Sequence, residues 1–246
     1  MDDRHGTTRY SGRGLHGRIV ESLGVRVVRG DLAPGAIIDL NRLADVENVS
    51  RTVVREAVKV LIGKGLLDAR PKRGTFVRDR ATWNLLDPDV MRWRSVGGRD
   101  GRLLQDLDEV RRTLEPVTAR LAAARRSPWH LVELEGAYAA MAASNLTDQE
   151  RVEADVRFHR LIATATGNEL LETLSATLEP VQRKRDVLAF EHLAGDSGFL
   201  DMHNDVLDGI RGGDPDAAEA AMRALLDAAS QDIETIIRRR TEEAGK

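Results

Sequence analysis

Within the stretch EADVRFHRLIATATGN, Asp155 and His159 stand four residues apart in an apolar-striped, helical pattern. Residues at i and i+4 overlie each other on one helix face, so a carboxylate and an imidazole there can share one bound ion. A transition metal usually takes three or four protein ligands, so these two need company. Histidine is scarce: His5, His16, His130 and His192 fall in tail, exposed or inter-helix contexts, whereas His203, in DMHNDVLDGI, interrupts an apolar helical pattern as His159 does. Asp155, His159 and His203 are therefore the candidate residues of a polar site. Arginines add a second chemistry, because a guanidinium pairs with a carboxylate through two parallel hydrogen bonds. Arg111 in EVRRTLEP and Arg183 in PVQR, with Arg185 close by, fall on helical patterns of the same region. The expected effector pocket is Arg111, Asp155, His159, Arg183 and His203. One rival use of the same Asp and His residues is a metal-dependent hydrolase, with Glu153 or Asp205 as its general base.

A different chemistry sits earlier in the chain. SRTVVREAVKVLIGKGLL reads as a helix with Ser50 as its N-cap and Val53, Val54, Ala57, Val58, Leu61 and Ile62 on its inner face. Its first turn presents Ser50, Arg51, Thr52 and Arg55, where backbone N–H groups and the helix dipole also favour phosphate. Arginine can bond both acceptors of a guanine edge, whereas serine and threonine more often fix the register on phosphate. The basic turn RPKRG follows, with Lys72 and Arg73 placed to reach backbone or minor groove and Gly74 allowing close approach. Charge agrees with this placement. Residues 1–80 hold 16 basic and 10 acidic side chains, a net +6, which leaves −9 for the remainder of a chain whose total is −3. A basic first part before an acidic second part points to a polyanion-binding module joined to something else.

The elements that must position these residues follow from periodicity and punctuation. Residues 1–13 read as a disordered tail. A helix with Leu15, Ile19, Leu23 and Val27 on one side ends at Gly30 and Pro34-Gly35. DLNRLADVENV and the Ser50 helix then form a helix-turn-helix, and extended pieces around 66–69 and 75–77 make a wing, which gives a DNA-binding domain over residues 14–80. Residues 81–100, holding Trp83 and Trp93, read as a linker whose rings pack against both domains. Helical patterns over 103–125, 128–144, 148–166, 168–192, 197–212 and 215–240 predict an antiparallel, all-helical bundle over residues 101–240 that binds the effector and dimerises. The fold class is thus mainly α, a winged helix-turn-helix followed by a bundle. With no cysteine, disulfides and thiolate metal sites are excluded, and no apolar run approaches membrane-spanning length, so a cytoplasmic protein without a membrane partner is expected.

LADVENVSRTVVREAVKVLIGKGLLDARPKRGTFV closely resembles the winged helix-turn-helix of the GntR family of bacterial transcription regulators. The resemblance implies DNA contact at Ser50, Arg51, Thr52, Arg55 and Gly74. Where the family's preceding helix often carries a basic contact residue, this chain has Asn41 with Arg42 beside it, and Arg42 joins the candidate set. EVRRTLEP, EADVRFHRLIATATGN and MHNDVLDGIRGGDPDAAEAAM look like the FCD effector domain of the FadR subfamily. That likeness implies one divalent metal, zinc or similar, on Asp155, His159 and His203, with Leu225 standing where a last histidine would lie. It also implies a homodimer on a palindromic operator in double-stranded DNA and a small carboxylate effector. The function expected is a repressor, not an enzyme: one that leaves the operator of a sugar-acid catabolic operon when a galactonate-like aldonate binds. Another small carboxylate is the alternative.

Overall fold

The computed structural model describes residues 14–96, 101–192 and 198–244, so the tail expected over 1–13 and the last four residues of the expected linker lie outside the described residues. The chain divides into two compact units, Met1–Asp100 and Gly101–Lys246.

In the first unit, α1 (Gly14–Arg29) buries Ile19, Leu23 and Val27, three of the four residues of the expected stripe. Asp39 caps α2 (Leu40–Glu47) by accepting from the N–H groups of Asn41 and Arg42, and Asn48, with φ of 51°, ends it in the left-handed region. Ser50 then caps α3 (Arg51–Gly63), accepting from Val53 N–H at 3.3 Å. Val54, Ala57, Val58 and Leu61 are buried as the helical spacing requires, with Val53 and Ile62 at the margin of the same core. The wing is β2 (Leu67–Arg70) paired antiparallel with β3 (Gly74–Val77), with Leu67 opposite Val77 and Arg70 opposite Gly74. A third strand, β1 (Ile37–Ile38), pairs with β3 to give the order β1-β3-β2. Two residues are too few for an alternating pattern to show, which hid this strand inside the turn region.

The expected linker corrects in a larger way. Pro88–Val96 is a helix, α4, whose Asp87 side chain accepts from the N–H groups of Asp89 and Val90. Asp-Pro here opens a helix, since proline suits the first helical position, where no N–H is needed. Trp93 is 1% exposed within the first unit's core, and its Nε1 donates to Glu21 at 2.5 Å. Lys64 joins Asp87 and Asp89 at 2.9 and 2.8 Å, and Arg92 pairs with Glu21, so α4 is held to the helix-turn-helix by both rings and charges. Gly24 shows how close the packing is, because a Cβ there would lie 2.7 Å from the Trp93 ring. Gly24→Ala is expected to lower stability by about 1–3 kcal/mol, despite the ~1 kcal/mol that alanine gains in helix propensity. A urea midpoint equal to that of the native chain would refute this contact.

The second unit consists of α5 (Gly101–Arg125), α6 (Pro128–Met141), α7 (Asp148–Ala165), α8 (Glu169–His192), α9 (Gly198–Gly212) and α10 (Pro215–Ala244). α10 packs on α5 and α9, and α7 lies between α6 and α8 while also touching α5. Capping boxes at Ser127 and Thr147 start α6 and α7. The shared core includes Leu134, Phe158, Ile162, Leu207, Ile210 and Met222. Among the described residues no helix is long and apolar enough to cross a membrane.

Candidate functional site

On the first unit, Arg42, Ser50, Arg51, Thr52, Arg55, Lys72, Arg73 and Gly74 are all exposed. Among the described residues Arg51 and Arg55 make no ion pair. The Ser50 hydroxyl is already engaged as the helix cap. Lys72 and Gly74 take positive φ, 64° and 80°, which shapes the tight wing turn; Arg73 lies 3.6 Å over the Phe76 ring centroid. That stacking fixes where the Arg73 guanidinium projects.

On the second unit, α5, α7 and α9 bring Arg111, Asp155, His159 and His203 together, each 6% exposed or less. They line a cavity of about 280 Å³. The carbonyl of Phe199 only accepts, so His203 Nδ1 donates to it at 2.7 Å and turns Nε2 toward Asp155 Oδ1, 2.9 Å away. Either a second ring proton or a cation must lie between those two atoms. His159 lies between two carboxylates at ion-pair distance, Nδ1 2.8 Å from Glu115 Oε2 without hydrogen-bond geometry and Nε2 3.7 Å from Asp155 Oδ1. Outer partners of this kind orient metal-ligating histidines. One carboxylate oxygen and two ring nitrogens lie within 4.8 Å of one another, a span that an ion holding each at about 2.0–2.2 Å would tighten. The set therefore fits an open three-ligand site. Arg111 is the competitor, since its Nη2 sits 3.2 Å from His159 Nε2. Leu225 lines the cavity as an apolar wall and offers no fourth ligand.

Charge in this cluster is strongly coupled. Burial would raise the Glu115 carboxyl, but Arg111, bonded to it at 2.6 Å, and His159 outweigh that and bring it down to about 2. Burial likewise opposes the charged form of Arg111, yet Glu115, Asp186 and Asp155 hold its pKa above the ordinary value. Asp155 is held well below the usual carboxylate range, because His159, His203 and Arg111 together exceed the cost of its burial. Asp186 goes the other way, to about 7, pushed up by burial and by the neighbouring Asp155 charge.

Arg183 does not join them. Its side chain is 34% exposed and pairs with Glu153 and Glu179, and it does not line the cavity. Arg185 lines it instead, bonded to Asp186 at 2.6 Å. Two helical residues differ by about 200° in direction, so only one of this pair can face inward. Glu115 and Arg151 were also missed by sequence reasoning. The i, i+4 spacing of Arg111 and Glu115 on α5 was the signal for the first, and Arg151 carried none beyond its place on α7 four residues before Asp155.

Comparison with known proteins places both units. The profile of the bacterial regulatory proteins, gntR family, matches residues 15–77, and that of the FCD domain matches residues 106–228. A galactonate operon transcriptional repressor of Escherichia coli is 33% identical over 225 residues, 89% of this chain and 96% of that one. An uncharacterized HTH-type transcriptional regulator of the same species, YieP, is 31% identical, over 85% and 90% of the two chains. Among solved structures, Lar, described as controlling the Listeria monocytogenes agr system, has the same fold at a TM-score of 0.59 and 16% identity, covering 91% of this chain and 98% of that one. The matched families are regulator families and these relatives are named as regulators, which sets the hydrolase reading aside.

Proposed function

The chain belongs to the GntR family of DNA-binding transcriptional regulators and carries an FCD domain, and on that premise we propose that it represses a sugar-acid catabolic operon and leaves its operator when a galactonate-like aldonate binds the second unit. The observation that carries this reading is the buried cluster of Arg111, Asp155, His159 and His203 on a cavity of about 280 Å³. Arg111 would grip the acid's carboxylate, and polar groups around it suit hydroxyls better than a long apolar chain. Asp155, His159 and His203 would hold a divalent ion. Such an ion would supply a fixed positive charge for carboxylate or hydroxyl oxygens.

The regulator would act as a homodimer, because one short recognition helix reads few bases and a two-fold protein matches a palindromic operator. Val110 and Val117 of α5, 36% and 46% exposed, support that helix as a dimer surface. Effector binding lowers operator affinity only as far as the acid prefers one arrangement of the dimer over the other. Galactonate is expected to raise the melting temperature of the full chain by mass action, and more so with added Zn²⁺ than in EDTA. A panel of aldonates that leaves the melting temperature unmoved in both conditions would sink the sugar-acid reading.

A further inference from the structure

Two arginines not used above line the same cavity, Arg151 from α7 and Arg185 from α8. Counting Arg111, three guanidinium groups from three helices each keep a buried N–H without an acceptor: Nη1 of Arg111, Nε of Arg151 and Nε of Arg185. Arg185 is 6% exposed, and its Nη1 is bonded to Asp186 at 2.6 Å. Arg151 makes no ion pair among the described residues and lies with its guanidinium 5.8 Å from the Phe190 ring centroid. Buried donors on charged groups are costly to leave unmatched, and Asp186 Oδ2, a cavity-lining acceptor also without a partner, is one oxygen against three donors.

The acids lining the cavity are not placed to meet these three donors. Glu115 is committed to Arg111 and His159, Asp155 to His203, and Asp186 Oδ1 to Arg185 Nη1, while Asp148, which also lines the cavity, makes no ion pair with Arg151 among the described residues. A single carboxylate matches one guanidinium fork. It can satisfy Arg111 or the Arg151 and Arg185 end, and the other end stays short.

We propose that this cavity takes a small acid with two carboxylates, one held by Arg111 beside Asp155, His159 and His203, the other by Arg151 and Arg185. The inference deepens the sugar-acid reading and rests on this cavity being the effector site. It makes Arg151 a specificity residue that distinguishes a dicarboxylate from an aldonate of the same length.

Calorimetric titration of the full-length protein at neutral pH tests this with galactonate, its doubly oxidised counterpart galactarate, and glutarate, a dicarboxylate without hydroxyls. Galactarate is expected to bind about tenfold or more tightly than galactonate, the difference one charge-assisted contact makes. Arg151 is partly exposed and has no ion-pair partner among the described residues to strand, so Arg151→Gln should fold. That variant should bring galactarate to within about twofold of galactonate, weakening galactarate several-fold more than galactonate. Equal affinities in the native protein, or equal weakening of both acids by Arg151→Gln, would overturn the dicarboxylate inference and leave the sugar-acid reading standing. Glutarate binding without either sugar acid would support the second carboxylate and remove the sugar-acid reading. Failure of all three to bind would remove both.

Discussion

Replacing Arg51 and Arg55 together by alanine should weaken operator binding by about a hundredfold or more, at about 1–3 kcal/mol for each side chain. The two residues are one helical turn apart at the start of α3, both exposed, and neither pairs with a carboxylate among the described residues. Their charge is therefore available to phosphate or to a guanine edge without first breaking a contact in the protein. Folding should be untouched, because the buried face of α3 is Val54, Ala57, Val58 and Leu61, and the Ser50 cap that starts the helix is retained. Lys59 supplies the control: it is exposed on the same helix but already bonded to Glu56 at 2.8 Å, and Lys59→Ala should change affinity by less than about threefold. The measurement is fluorescence anisotropy on a duplex selected from random-sequence DNA, at two salt concentrations, with the melting temperature followed in parallel. Undiminished binding by the double variant would remove α3 as the recognition helix.

What the sequence disclosed, and what it withheld, follows from how far each signal reaches along the chain. The start of α3 was legible because caps act within three residues: Ser50 bonds the N–H three positions on. The helix-turn-helix was legible because its apolar stripes repeat over several turns. α4 was not, since a nine-residue helix opening with Asp-Pro and carrying two arginines and a tryptophan shows little periodicity, and its reason to form is burial of Trp93 against Gly24 and Glu21 on a distant part of the chain. In the pocket, Asp155, His159 and His203 stood out because polar residues broke an apolar pattern. Arg183 and Arg185 could not be separated this way, because which of them faces the cavity depends on the rotation of α8 about its own axis, fixed by partners on α7 such as Glu153. Asp186 was invisible for the same reason: its elevated pKa arises from burial and from Asp155, a residue 31 positions away in the chain.

Asp155→Asn should abolish most of the effector response while sparing DNA binding. Asp155 is the point where the cluster's charges meet, held ionised by His159, His203 and Arg111 and lying 2.9 Å from His203 Nε2. Asparagine keeps the shape and can donate its amide hydrogen to that ring nitrogen, so the packing survives. What disappears is the anion. Without it His159 and His203 lose the charge that would help them hold a divalent ion, and Arg111 loses one of the carboxylates that orient it. The same substitution removes the charge that pushes Asp186 up, which offsets part of the stability lost with the ionic contacts and favours a folded variant. Full release of the operator should then need at least about tenfold more acid, since a lost ligand or its orienting partner commonly weakens metal binding 10–100-fold, whereas operator affinity in the absence of acid should stay within about twofold. Titrating the protein–operator complex with galactonate or galactarate, with and without Zn²⁺, gives both numbers. If the release midpoint stays at its native value, Asp155 belongs to the scaffold of the bundle and the effector site must be sought elsewhere.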